Sequence, residues 1–390
     1  MKNICVVTGT RAEYHLLFQL LKRLKNDPEL KLILAVTGSH LNAAYGNTYR
    51  DIENDGFIID KKIDILQKED KTHDINTAMC KAIEGFDIFF SEQKPDIIIL
   101  LGDRYELLSV AIVAMNYQIP IAHIHGGETT EGAIDECIRH SITKMSYLHF
   151  TSCEEYRNRV IQLGENPDRV FNVGGLGVEN IKNVKLMTLA ELEESLDFPL
   201  KERFAVVTFH PVTLEADTAE ADFLKVLQAL EQIDHLKVIF TKANADAGGL
   251  RINSLIDAYV KERPEQCIAV YSLGLVRYLT ALKYAAIVIG NSSSGILETP
   301  SFGVPTVNIG DRQRGRIQAR NIINCQIETE AIVNAIKRGL DEKFKDYAAG
   351  AISPYGEGHA SEQIIRIIKQ TLYASSINLK KQFYDVPINQ

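Results

Sequence analysis

Short, almost wholly apolar runs that stop at a glycine or a polar residue recur along the first half of the chain: NICVVTG, KLILAVTG, PDIIILLGD, IPIAHIHGG and RVFNVGG. They do not alternate apolar with polar, so both faces of each strand must be covered, as in a parallel sheet packed between helices. The stretches between them carry helical spacing, as at Leu16, Leu17, Leu20, Leu21 and Leu24 after RAEY. The pattern then starts again with RFAVVTFH, LKVIFTKAN, CIAVYSLG, AAIVIGNSSSG and VPTVNIGDR. Helices are expected around Phe223 to Ile233, Ile252 to Val260, Val276 to Leu282 and Ala331 to Leu340. The expected fold class is therefore α/β, with two Rossmann-like, doubly wound domains facing each other across a cleft. The polar stretch NIKNVKLMTLAELEESLDFPLKER places the break near Lys182, giving 1–182 and 183–359, with a C-terminal helix at about 360–390 joining the first domain.

The length of 390 residues suits two domains rather than one core. A formal net charge of -8 argues against a protein that lives on nucleic acid or an anionic membrane surface, so any anionic ligand must be met by local positive groups. Cys5, Cys80, Cys137, Cys153, Cys267 and Cys325 are scattered, with no C-x-x-C pair and no zinc spacing, which reads as reduced thiols. The amino terminus has too short an apolar stretch for a signal peptide, and no apolar run reaches membrane-spanning length. A soluble, cytoplasmic protein without membrane insertion is expected.

In doubly wound sheets ligands bind outside the carboxyl ends of the strands, and each motif here falls at such an end. TGTRAEY, Thr8 to Tyr14, opens the first helix, so backbone amides and the helix dipole can meet an anion there, and Arg11 adds a fork. The alternative is a tight turn with a solvated arginine. LLGDRYE puts Asp103 and Arg104 after a very apolar strand, where Asp103 serves either as a helix N-cap or as a group acting on a ligand. HIHGGETTEGAIDE brings His125, Glu128, Glu131, Asp135 and Glu136 to the next strand end, with Gly126 and Gly127 allowing a sharp turn. Crowded carboxylates raise at least one pKa, which suits acid and base work near neutrality. One of Asp135 and Glu136 can instead be a helix-start residue favoured by the dipole, and Arg139 and His140 lie one turn further on, placed to orient the cluster.

In the second half, FHPVTLE places His210 after a strand, with Pro211 fixing the turn. In IGNSSSGILETPSFGVPTVNIGDRQRGR, Ser292, Ser293, Ser294 and Gly295 are expected to open a helix that offers hydroxyls and amides to a diphosphate. Glu298, expected within its first turn or two, suits a ribose diol, and Arg312, Arg314 and Arg316 follow the next strand.

Taken together, TGTRAEY, GDRYE, HGGE followed by DECIRHSITKMS, FHPVT, NADAGG, GNSSSG and NIGDRQRGR resemble, in the same order and over nearly the whole chain, the hydrolysing UDP-N-acetylglucosamine 2-epimerases that start bacterial sialic-acid synthesis. The resemblance implies a GT-B type fold with the nucleotide held mainly by the C-terminal domain. It places Asp103, Asp135 and His210 at the positions of functional acids and histidine. Arg11, Arg104, Asn244, Asp246, Ser292, Ser293, Gly295, Glu298 and Arg312 fall where UDP is bound. Many members read Glu-Gly-Gly-Glu where this chain has HGGE, so His125 replaces the first glutamate and the following loop is one residue longer; Glu128 and Glu131 are then candidates for its acid/base role.

The chemistry implied is elimination of UDP from UDP-N-acetylglucosamine to a glycal, then hydration to N-acetylmannosamine, with no metal or redox cofactor and a homo-oligomer, dimer or tetramer, as the implied assembly. The alternatives are the same reaction on a diacetamido-trideoxyhexose nucleotide, a non-hydrolysing 2-epimerase, a GT-B glycosyltransferase and a noncatalytic UDP-sugar sensor.

Overall fold

The computed structural model describes every residue except 68, 70, 132, 213–217, 244–247, 375–376 and 388–390. The chain divides into two compact units: Met1–Glu128 with Asp135–Lys182 and Tyr355–Gln390, and Thr129–Ile134 with Asn183–Pro354. Among the described residues no helix is long and apolar enough to cross a membrane.

In the first unit the strands are β1 (Lys2–Thr8), β2 (Leu30–Thr37), β3 (Lys61–Ile63), β4 (Ile97–Leu101), β5 (Ile121–Ile124), β6 (Leu148–Thr151) and β7 (Val170–Asn172), all parallel, in the order β3-β2-β1-β4-β5-β6-β7. Successive residues of β1 explain the unbroken apolar runs. Ile4 and Val6 enter one core with the helices Arg11–Asn26 and Ala360–Leu372, while Cys5 and Val7 enter another with Thr72–Gln93 and Tyr105–Asn116. Burial on both faces removes the need for a polar alternate.

The second unit holds β8 (Phe204–Thr208), β9 (Lys237–Thr241), β10 (Cys267–Val270), β11 (Ile287–Gly290), β12 (Thr306–Ile309) and β13 (Ile322–Cys325) in the order β10-β9-β8-β11-β12-β13, again parallel. Both sheets reverse direction of winding beside their first strand, between β1 and β4 and between β8 and β11. These are the switch points at which a doubly wound sheet leaves a crevice for a ligand. At the second, Gly290 has φ 140° and lies so close to β8 that a Cβ would overlap the Thr208 carbonyl oxygen.

The helix expected at about 360–390 ends at Leu372. Its apolar positions, Ile364, Ile365, Ile368 and Leu372, stop there, and the following ASSINLKKQ offers no continuing stripe. The helix is tied to the first unit by Glu179, which accepts from the Ser361 N–H at 2.7 Å and hydroxyl at 2.5 Å. Beyond it, Lys381 donates to the carbonyls of Lys144 and Ser146, both at 2.8 Å, and pairs with Glu165 at 2.6 Å.

Gly290→Ala should cost about 3 kcal/mol or more, since this backbone region is open only to glycine and β8 must also give way. Thermal unfolding should show a fall of about 6 °C or more for a domain of this size; an unchanged midpoint would refute the close approach.

Candidate active site

Next to the switch point of the first unit, residues just past the ends of β4 and β5 meet the helix Asp135–Met145 around one buried guanidinium. Arg139 has a side chain only 1% exposed. One terminal nitrogen donates to the Asp103 carboxylate, and the other to Glu136 at 2.6 Å and to the Glu128 carbonyl at 2.8 Å. Burial alone would lower the Arg139 pKa, but the charges of Asp103, Glu128 and Glu136 more than offset it and hold the group protonated. The guanidinium therefore acts as a fixed positive post on which two carboxylates and the Glu128 backbone are hung. Asp103 is not the N-cap of the following helix, a role Arg104 takes with φ -80° and ψ 151°. One residue further back, Asp103 is turned to Arg139 instead.

Glu128 is 2% exposed, and its Oε1 accepts from the Ser152 hydroxyl at 3.0 Å and lies 3.5 Å from His125 Nδ1. The sharp turn falls on His125 at φ 66° and Gly127 at φ 78°. A non-glycine residue in the left-handed region costs energy that its surroundings must repay, and the His125 N–H does bond the Phe150 carbonyl at 2.9 Å. Asp135 opens its helix, half-buried in the first turn beside Glu136. His140 Nε2 lies 3.2 Å from Glu136 Oε1. Glu131 belongs to the second unit, where Arg314 Nε is 3.4 Å from its half-exposed carboxylate; it is not part of the Arg139 cluster.

Arg11 is the first residue of its helix, behind the Thr10 N-cap. The Gly9 amide is turned inward, to Glu13 Oε2 at 2.7 Å, and Arg104 Nε donates to Glu106 at 2.8 Å. Two buried histidines line the same strand ends. His40 bridges Thr8 and Thr48 at 3.1 and 2.8 Å, and His123 bridges the Gly102 carbonyl and Thr143 at 2.7 and 3.1 Å. Burial holds both well below the usual histidine range, at about 3, so they are neutral hydrogen-bonding struts.

The second unit has its own hub. Asn291, directly after β11, accepts from the His210 N–H and donates to the His210 carbonyl, both at 2.8 Å. Its own carbonyl accepts from Arg312 at 3.2 Å and Gln313 at 2.9 Å. One residue, through its side chain and its backbone carbonyl, thus registers the ends of β8, β11 and β12. Arg312 Nε is buried and has no hydrogen-bond partner among the described residues, a donor suited to an incoming anion. The helix expected to open at Ser292–Ser294 is only Ser294–Leu297, with Ser293 as its N-cap. Glu298 caps its end, because Pro300 blocks a longer α-helix. A chain of hydrogen bonds runs from Tyr278 through the Ser294 hydroxyl to Glu298. Burial pushes the Glu298 carboxyl up to about 7, against the lowering effect of Ser294. Arg314 and Arg316 line a polar hollow of about 1060 Å³ with Lys225, Asn308, Asp311 and Glu328. Asn244 and Asp246 lie outside the described residues. Among the described residues no group of three or more His, Cys, Asp or Glu is placed to hold a metal ion.

Sequence reasoning passed over His40, Glu13, Glu106 and Asn291. Each is a polar residue within a few positions of a strand end, which was the available signal.

Two parallel, doubly wound sheets with polar loops gathered at their switch points define a fold of the GT-B type. The UDP-N-acetylglucosamine 2-epimerase family profile matches residues 22–369, and the chain belongs to that family. Polysialic acid biosynthesis protein P7 of Escherichia coli is 43% identical over 389 residues, covering 99% of this chain and 98% of that protein. A GDP/UDP-N,N'-diacetylbacillosamine 2-epimerase (hydrolyzing) of Campylobacter jejuni is 40% identical over 385 residues, 99% of each chain. The solved UDP-GlcNAc 2-epimerase of Neisseria meningitidis, bound to UDP-GlcNAc, matches with a TM-score of 0.79 at 16% identity, over 95% of this chain and 100% of that one.

Arg139→Met should destabilise the protein by about 3 kcal/mol, the lower end for breaking a buried pair because Asp103 and Glu136 keep contact with water. Urea unfolding measures this, and a loss under about 1 kcal/mol would show that the carboxylates do not depend on it.

Glu298 yields a signed pH dependence. Its folded-state pKa of about 7 lies above the ordinary 4.5, so its contribution to stability is full below the ordinary value and is lost as pH rises through 7. Between about pH 5 and about pH 8, Glu298→Gln should therefore gain stability relative to the parent, read as thermal midpoints. A parallel pair of curves would remove the effect.

Proposed function

We propose that the protein is a hydrolysing 2-epimerase that converts UDP-N-acetylglucosamine to N-acetylmannosamine and UDP, the step that supplies sialic-acid synthesis. The observation that carries this reading is the gathering of Asp103, Glu128 and Glu136 around buried Arg139 in a chain of this family.

The C2 proton of an N-acetylhexosamine is too weakly acidic for a carboxylate to take unaided. Departure of UDP from C1 puts positive character beside C2, and a carboxylate then removes the proton, leaving a C1–C2 double bond and UDP. Water adds its oxygen at C1, and a proton returns to C2 on the opposite face, giving the manno configuration. Asp103, Glu128 and Asp135 carry the protons at the sugar, with His125 beside Glu128 to hold or pass one. Arg139 holds Asp103 in place by hydrogen bonding. His210, Ser292, Ser293, Gly295 and Arg312 stabilise the departing diphosphate, Glu298 takes the ribose, and Arg11 and Arg104 meet the phosphate charge.

The same chemistry on a 2,4-diacetamido-trideoxyhexose nucleotide is the second reading, supported by the 40% identity to the Campylobacter jejuni protein. Purified protein given each nucleotide sugar separately, with products read by NMR, decides between them.

In heavy-oxygen water, the label should appear at C1 of the mannosamine product and not in UDP. In deuterated water, deuterium should enter at C2. Label in UDP would mean attack on phosphorus, and a C2 free of deuterium would mean that its proton never leaves; either would sink the elimination.

A further inference from the structure

Behind the Arg104 end of the site lie two carboxyl groups that the reaction scheme does not use. Glu13, in the first turn of its helix, is 7% exposed, and Glu106, in the first turn of the Tyr105–Asn116 helix, is 0% exposed. Each spends one oxygen on a defined donor: Glu13 Oε2 on the Gly9 amide at 2.7 Å, Glu106 Oε1 on Arg104 Nε at 2.8 Å. The other oxygen of each, Glu13 Oε1 and Glu106 Oε2, is buried without a hydrogen-bond partner among the described residues. The two groups meet over Gly9, where a Cβ would collide with the Glu106 carboxyl.

The other groups facing this spot cannot neutralise two charges. Arg104 is the cation placed against it; Asp103 adds a further negative charge, and Arg11 stands on Glu13's own helix. Among the described residues, the β2 end brings the Ser39 hydroxyl and the His40 amide, both on the Gly9 carbonyl, and a neutral His40 ring. Two carboxylates and one guanidinium in a buried space would leave an uncompensated charge, which a retained proton relieves.

We propose that Glu13 and Glu106 form a carboxyl pair that keeps one proton, on Glu13, and that Glu106 thereby positions Arg104 for the substrate's diphosphate. Glu13 and Glu106 are positioning residues, and the part played by Arg104 rests on the function proposed above. Burial first, and the Glu106 charge second, push the Glu13 carboxyl up to about 8, against Arg104 and the Gly9 amide. Loss of that proton sets two carboxylates against one arginine and loosens the hold on Arg104. The parent enzyme should therefore show a KM that climbs above about pH 8.

The test is a pair of isosteric variants with two readouts. Glu13→Gln mimics the protonated acid, so at neutral pH its KM should stay within about twofold of the parent while the alkaline climb disappears. Glu106→Gln strips Arg104 of its charged partner and should raise KM about tenfold at every pH. Should Glu106→Gln not fold, Glu106→Asp, which withdraws the carboxylate by one methylene, should also raise KM at every pH. In a Glu298→Gln background, the infrared carbonyl band of a protonated carboxyl group at neutral pH should vanish in Glu13→Gln, persist in Glu106→Asp, which keeps both carboxyl groups, and weaken in Glu106→Gln, where Glu13 alone faces Arg104. That band needs no turnover, and calorimetric UDP affinity replaces KM if the sugar assignment fails. On that Glu298→Gln background, which removes the other carboxyl that holds a proton near neutrality, a band that survives in Glu13→Gln, or a Glu13→Gln as impaired at neutral pH as Glu106→Gln, would overturn the proposal.

Discussion

A guanidinium with its side chain 1% exposed cannot remain charged in a protein interior unless carboxylates and carbonyls replace its water. Arg139 meets that condition by drawing Asp103 from the end of β4, the Glu128 carbonyl from beyond β5 and Glu136 from its own helix into one cluster. The acids are thereby held at fixed positions relative to one another. The cost of the buried charge and the geometry of the site are the same fact.

The second unit solves a different problem with a neutral group. Asn291 offers a donor and two acceptors where three strand ends meet, and by satisfying His210, Arg312 and Gln313 together it shapes an anion-ready turn without adding charge. Glu298 follows from the same economy: buried behind Ser294 and Tyr278, its carboxyl is pushed up to about 7, so that near neutrality it can either donate or accept a hydrogen bond.

The longer strands were legible because burial on both faces leaves runs such as IIILL with no polar interruption. The three-residue β3, the four-residue β6 and the edge strand β13 were not, since KKI, LHFT and IINC are short and interrupted by polar or half-exposed residues. Asp103 could be marked as a candidate but not distinguished from a helix cap, since the choice depends on where Arg139 lies, 36 residues later. Glu131 and Glu128 looked alike in sequence; only folding sets one against Ser152 and the other against Arg314.

Local rules were enough to determine the repeated strand and helix pattern and the placing of polar motifs at strand ends, because apolar periodicity and turn chemistry act over a few residues. Which polar residues become partners was decided by tertiary structure alone. Glu13 and Glu106 lie 93 positions apart, and His210 and Asn291 lie 81 apart. Hydrogen bonds and buried charges act over a few ångströms of space, and only the order of strands in each sheet determines which distant residues come that close.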